Sequence, residues 1–226
     1  MICCYTNCII PPTPWWSDLY GWGIMTQGIL KILSGRTLEL SPEGKKMFLN
    51  SEQRLNYQKY EALDVDKIDG FVWSPHSDAE GWITKAKDTD GEHYAVADSL
   101  ERYTRIRRFT IEEMRAQYLE LKRVLKDVPR KVVVLYPSGG FDLVGDSRAD
   151  LKERVEELNK LAIEVFKMDW VILTIPTVSN GDDIWCHYAG SVRHSIDAVI
   201  GAYLFYGKEG DTDPRHKRAH DFSKIY

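Results

Sequence analysis

The sequence predicts an α/β fold, a three-layer sandwich with a central, mostly parallel sheet. Two near-continuous apolar runs, Lys131–Tyr136 (KVVVLY) and Trp170–Ile175 (WVILTI), read as strands buried on both faces, which is what a parallel sheet with helices on either side requires. Amphipathic helical stretches lie before, between and after them. Helix, strand, helix, strand, helix in succession implies crossover connections with helices covering the sheet. Residues 1–206 form one α/β domain on this reading, followed by a charged tail, 207–226, without apolar periodicity.

In chain order, Met1–Ile10 reads as a first apolar strand, ended by Pro11, Pro12 and Pro14. Asp18–Leu33 is expected to be helical, with Ser17 or Asp18 as N-cap and Ile29, Leu30, Ile32 and Leu33 on or near its inner face. Gly21, Gly23 and Gly28 weaken that pattern, and Ser34-Gly35 ends it. Pro42 suits the first position of a short helix containing Met47–Leu49.

Ile68–Trp73 is a second core strand, followed by the polar loop Ser74-Pro75-His76-Ser77-Asp78. Ala79–Glu101 has no clear pattern beyond a weak strand at Tyr94–Ala97. Thr110 and Glu113 spell a capping box for a helix to about Lys126, with Met114, Tyr118, Leu121 and Leu125 at helical spacing. Asp150 is expected to cap Leu151–Lys167, with Val155, Leu158, Leu161, Ala162 and Val165 on its inner stripe. Ala189–Phe205 reads as the last helix.

With 226 residues, 43% hydrophobic and 28% charged, the chain can bury a substantial core. A net charge of −4 argues against nonspecific coating of duplex nucleic acid, although basic segments such as Arg102, Arg105, Arg107 and Arg108 offer phosphate contacts. No apolar run reaches the roughly 20 residues of a membrane helix, so no membrane partner is expected. Four cysteines do not make a disulfide scaffold. Cys3 and Cys4, adjacent in a strand, would face opposite ways, and reduced thiols in a cytoplasmic setting are the simpler reading. No Cys/His spacing suits zinc, and His216 and His220 sit amid Arg215, Lys217 and Arg218, so neither metal nor cofactor is expected.

Ligands of open parallel sheets gather outside the carboxyl ends of the strands. Four such ends carry polar or small residues: Thr6-Asn7-Cys8, Ser74–Asp78, Ser138-Gly139-Gly140 and Pro176–His187. Cys8 is the candidate nucleophile, since a thiol at a strand-to-helix turn gains thiolate character from the helix dipole and a nearby histidine; Thr6 and Ser17 are substitutes. His187, beside Asp182 and Asp183, suits a general base held in one tautomer by a carboxylate, and His76 is a second candidate. Trp15, Trp16 and Trp22 would border the pocket, and Gly139 lets a backbone approach a ligand. The competing reading of each is ordinary: a buried inert thiol, a surface histidine, aromatics filling a core corner. Gly145-Asp146-Ser147 reads best as a turn before a helix.

Over roughly Phe109–Tyr203 the chain resembles the SGNH (GDSL-like) hydrolase superfamily. The likeness rests on a helix leading into KVVVLYP, a helix containing VEELNKLA, a strand, and His187-Tyr188-Ala189-Gly190 before the last helix. The resemblance implies a flavodoxin-like, SGNH-like sandwich with His187 as general base. The family's aspartate lies three residues before that histidine, where this chain has Ile184, with Asp183 one residue off. The family's nucleophilic serine closes the first strand in a Gly-Asp-Ser motif; here Tyr5-Thr6-Asn7-Cys8 stands there, so Cys8 inherits the role. The oxyanion-hole asparagine has no counterpart at Ser74-Pro75-His76, leaving Asn7 to serve. The expected activity is a hydrolase or acyl/group transferase on a small-molecule or activated-group substrate. The alternatives are a transferase acting on an activated nucleotide or nucleic-acid-borne group, and a non-catalytic binding protein.

Overall fold

The computed structural model describes residues 1–6, 18–20, 24–36, 62–80, 83–86, 92–93, 103–136, 149–173 and 190–206. Their main feature is a five-stranded sheet in the order β2-β1-β3-β7-β8, formed by β1 (Ile2–Tyr5), β2 (Leu19–Tyr20), β3 (Gly70–Trp73), β7 (Arg130–Val134) and β8 (Val171–Leu173). Every neighbouring pair is parallel. A separate antiparallel sheet, ordered β5-β4-β6, is built from β4 (Ile83–Ala86), β5 (Glu92–His93) and β6 (Tyr103–Arg107). The helices are α1 (Thr26–Leu33), the short α2 (His76–Glu80), α3 (Ile111–Val124), α4 (Ala149–Phe166) and α5 (Gly190–Tyr206). The chain is thus α/β with a parallel sheet and helices, as its buried apolar runs require.

Side-chain alternation along β3 shows which helices cover which face. Phe71 and Trp73 point one way: the Trp73 ring lies 4.8 Å from Tyr118 of α3 and 5.3 Å from Phe166 of α4. Gly70 points the other way, towards Leu204 of α5; a Cβ built on Gly70 would meet Leu204 Cδ2 at 3.0 Å. Glycine lets α5 approach this closely. The hydroxyl of Tyr203 is hydrogen-bonded at the Lys131 backbone. Ile2, Gly70 and Lys131 all lie at the amino edge of the sheet, so the end of α5 sits there. Sixteen residues before its end, about 24 Å along its axis, α5 begins towards the carboxyl edge.

The expected helix over Asp18–Leu33 is shorter. Asp18 is bound to β1 instead: its carboxylate accepts from the Ile2 N–H at 2.7 Å and its own N–H donates to the Ile2 carbonyl at 3.0 Å. That anchoring draws Leu19–Tyr20 into the sheet edge, and the helix starts only at Thr26, beyond Gly21 and Gly23. The expected N-cap at Ser17 or Asp18 is corrected accordingly. The Ser74–Asp78 loop is helical from His76. The patternless stretch after Ala79 holds the antiparallel sheet; the expected weak strand at Tyr94–Ala97 lies outside the described residues, as does the Met47–Leu49 helix. Asp150 lies inside α4, which starts at Ala149. The capping box of α3 forms as read, Thr110 Oγ1 accepting from the Glu113 N–H and the Glu113 carboxylate from the Thr110 N–H.

No helix among the described residues is long and apolar enough to cross a membrane.

Candidate functional site

The strand order places a topological switch between β1 and β3. From β1 the chain moves outward to β2, and from β2 it crosses back over β1 to β3 and onward through β7 to β8. The two connections diverge at the carboxyl ends of β1 and β3, which leaves a crevice there in sheets of this kind. Thr6 follows β1 and is fully buried. Ser74 follows β3, and its N–H donates to the Tyr5 carbonyl at 3.1 Å, so the two strand ends are in register across the switch. Ser74 Oγ accepts from the His76 N–H at 3.2 Å, and the His76 ring stacks on Tyr136, just past β7, with centroids 4.3 Å apart. Thr6, Ser74, His76 and Tyr136, all buried, therefore crowd the carboxyl edge of the three central strands.

Two of the residues expected from the sequence are thus placed, Thr6 and His76, and both lie at this edge. Cys8, His187, Asp183, Asn7, Trp15, Trp16, Trp22, Ser138 and Gly139 lie outside the described residues, as does 207–226. Cys3 and Cys4 are buried and face opposite ways along β1, and burial pushes the Cys3 thiol up to about 12, which makes it an inert core residue. Cys4 Sγ lies 3.4 Å from Thr6 Oγ1.

The structure adds a constellation that the sequence did not reveal. The Asp78 carboxylate, fully buried, accepts from the Thr26 N–H at 2.8 Å, the Thr26 hydroxyl at 2.6 Å and the Tyr118 hydroxyl at 3.2 Å. Trp73 Nε1 donates in turn to Thr26 Oγ1 at 3.1 Å. Met25, the N-cap of α1, supplies no side-chain hydrogen bond; Asp78 accepts from the first N–H of the helix from across the fold, with its charge on the positive end of the helix dipole. Burial nonetheless dominates, raising the Asp78 carboxyl from its ordinary 3.8 to about 6, against the opposing pull of these donors and of Arg154. Tyr118 is pushed well above its ordinary range by burial and by the adjacent carboxylate.

Arg154 of α4 completes the group. Its Nη2 donates to the Phe109 carbonyl at 2.9 Å and, more weakly, to the Asp78 carbonyl at 3.4 Å. Desolvation and the nearby Arg108 act against its charge, while Asp78 favours it. Only Asp78 had a sequence signal, its place in a polar pentad after a core strand. Thr26 lay within a glycine-broken pattern, Tyr118 fell at the helical spacing of a core face, and Arg154 lay off the inner stripe of its helix.

Other features stand apart from this group. The Arg107 guanidinium, considered above for phosphate, is engaged in a bidentate pair with Glu113 at 2.6 and 2.7 Å. One groove is lined by Gln27, Lys31, Gln117 and Glu120, between α1 and α3, and another by Val65, Ile68 and Val128, just before the amino edge. Among the described residues no group of three or more His, Cys, Asp or Glu gathers to hold a metal. Compared with known protein families, with curated proteins and with solved structures, the chain matches none.

Proposed function

We propose that the chain is an SGNH-like hydrolase or acyl/group transferase whose nucleophile–histidine site opens at the carboxyl edge between β1 and β3. The observation that carries this reading is the switch point itself, flanked by Thr6 on one side and by Ser74 and His76 on the other. Numbered along the sheet, the strands run 2-1-3-4-5, the order of flavodoxin-like sandwiches, which supports the family resemblance.

Chain connectivity supports the pairing. Cys8 is two residues beyond Thr6 in the sequence. His187 is three residues before Gly190 in the sequence, where α5 begins towards the same edge. In the proposed reaction the Cys8 sulfur attacks an acyl carbon while His187 takes the thiol proton, oriented by Asp183. The proton passes to the leaving group as its bond to carbon breaks, and water or an acceptor then releases the thioester. Backbone N–H groups at the β1 end, with Asn7, would stabilise the oxyanion.

Alkylation by iodoacetamide at pH 6.5, read by mass spectrometry at each cysteine, tests this. Cys8 should react at least tenfold faster than a free thiol, and His187→Ala should abolish the excess; His76→Ala distinguishes the second histidine. If Cys8 reacts no faster than a free thiol and neither histidine matters, the nucleophile–histidine reading is wrong.

A further inference from the structure

α1 and α3 pack against each other, and a groove of about 370 Å³ opens between them, a volume within the range of small-molecule sites. Leu30 and Ala116 give it aliphatic surface, and Lys31 and Arg36 bring it two cations. Arg36 is exposed, and its guanidinium makes no ion pair among the described residues. Glu120 lines the groove too, but Arg123 holds its carboxylate through two hydrogen bonds, at 2.7 and 2.6 Å. The uncompensated charge in the groove is therefore positive.

Gln117 carries the inference further. Its side chain lines the groove, yet the residue is only 7% exposed. Its Oε1 is sealed from solvent without a donor, and its amide nitrogen donates no hydrogen bond among the described residues. Burying a carboxamide without partners costs its desolvation, and a leucine would fill a similar volume without that cost. Packing alone does not account for a glutamine here. A ligand amide does: a carboxamide donates its N–H to a ligand carbonyl and accepts the ligand's N–H in return. The last torsion of glutamine is soft and roughly two-fold, so Oε1 can turn to the groove.

We propose that the α1–α3 groove binds a small ligand that joins an amide or lactam to a phosphate or carboxylate. Gln117 pairs with the amide, Arg36 and Lys31 hold the anion, and Leu30 and Ala116 lie against the atoms between. None of these residues belongs to the switch-point site, so the inference stands apart from the enzymatic reading.

Heteronuclear NMR on the whole chain, following the Gln117 side-chain amide, tests it. The probes are uridine monophosphate (a lactam with a phosphate), N-acetylglycylglycine (an amide with a carboxylate) and inorganic phosphate. One or both of the first two should shift that resonance saturably, and the one that does identifies the anionic group. Gln117→Leu and Arg36→Gln should each weaken the binding at least tenfold. If neither amide-bearing anion shifts the resonance, the site is overturned. Inorganic phosphate binding as tightly as they do, or Gln117→Leu binding as wild type does, overturns the amide pairing. Unchanged affinity in Arg36→Gln overturns the anion end. Should Gln117→Leu fail to fold, the comparison with inorganic phosphate and the exposed Arg36 variant decide.

Discussion

Replacing Asp78 with Asn removes a buried charge while nearly preserving shape, and its effect on stability should depend on pH in a calculable way. In the folded protein burial raises the Asp78 carboxyl from 3.8 to about 6, whereas in the unfolded chain it returns to its ordinary value. A group whose folded pKa is raised contributes stability that is complete below its unfolded pKa and is lost as pH rises through the folded one. The window therefore runs from about pH 4 to about pH 7, with wild type losing stability upward. About two pH units of displacement give a full swing of roughly 3 kcal/mol, of which about half falls between pH 8 and pH 5. Urea midpoints for wild type and Asp78→Asn at those two pH values yield the difference of differences, in which groups not coupled to Asp78 cancel. Wild type should gain on the variant by that amount at pH 5. Tyr118 stays protonated throughout, and repeating the pair in a His76→Gln background removes the imidazole that shares α2 with Asp78. A gap independent of pH, or one favouring wild type more at pH 8, would refute the picture of a carboxylate held ionised against its burial.

Two further perturbations probe the same packing. Thr26→Val keeps the shape but strips Asp78 of a donor and Trp73 Nε1 of its acceptor, and should cost about 2–4 kcal/mol in urea denaturation, more at pH 8 than at pH 5; a cost below about 0.5 kcal/mol would mean that the hydroxyl bridge is not formed. Gly70→Ala should cost about 1–2 kcal/mol through contact with Leu204, and Leu204→Val in the same chain should recover part of that, giving a coupling of at least about 0.5 kcal/mol; strictly additive costs would place α5 elsewhere.

The layered architecture was legible in the sequence because its signals are local. KVVVLY and WVILTI can hardly be anything but doubly buried strands, and Thr110 with Glu113 is a self-contained cap. What escaped notice depends on partners distant in sequence. Asp18 resembles an N-cap until Ile2 claims its carboxylate. Leu19–Tyr20 becomes a strand only because β1 offers an edge. The strands at Ile83–Ala86 and Tyr103–Arg107 are short, polar and separated by a long connection, so their alternation carries little hydrophobic contrast. Thr6 and His76 were singled out from the strand ends they follow, and both lie buried at the carboxyl edge. The Asp78 cluster unites residues from the strand β3, the short α2 and three longer helices, a convergence that no spacing rule encodes.

The register of the parallel sheet also bears on how the chain reaches this state. Ile2 lies opposite Gly70, and Gly70 opposite Arg130, whereas Val132 and Val171 are joined through α4 as the one described element between them. Closing long loops costs entropy before any contact compensates, so distant pairings tend to come late. Loop closure therefore favours the β7–β8 pairing, 39 residues apart, over the seam between β1 and β3, 68 residues apart. The seam that joins Thr6 to Ser74 and His76 is the longest-range pairing among the described strands, which makes its integrity a sensitive reporter of completed folding.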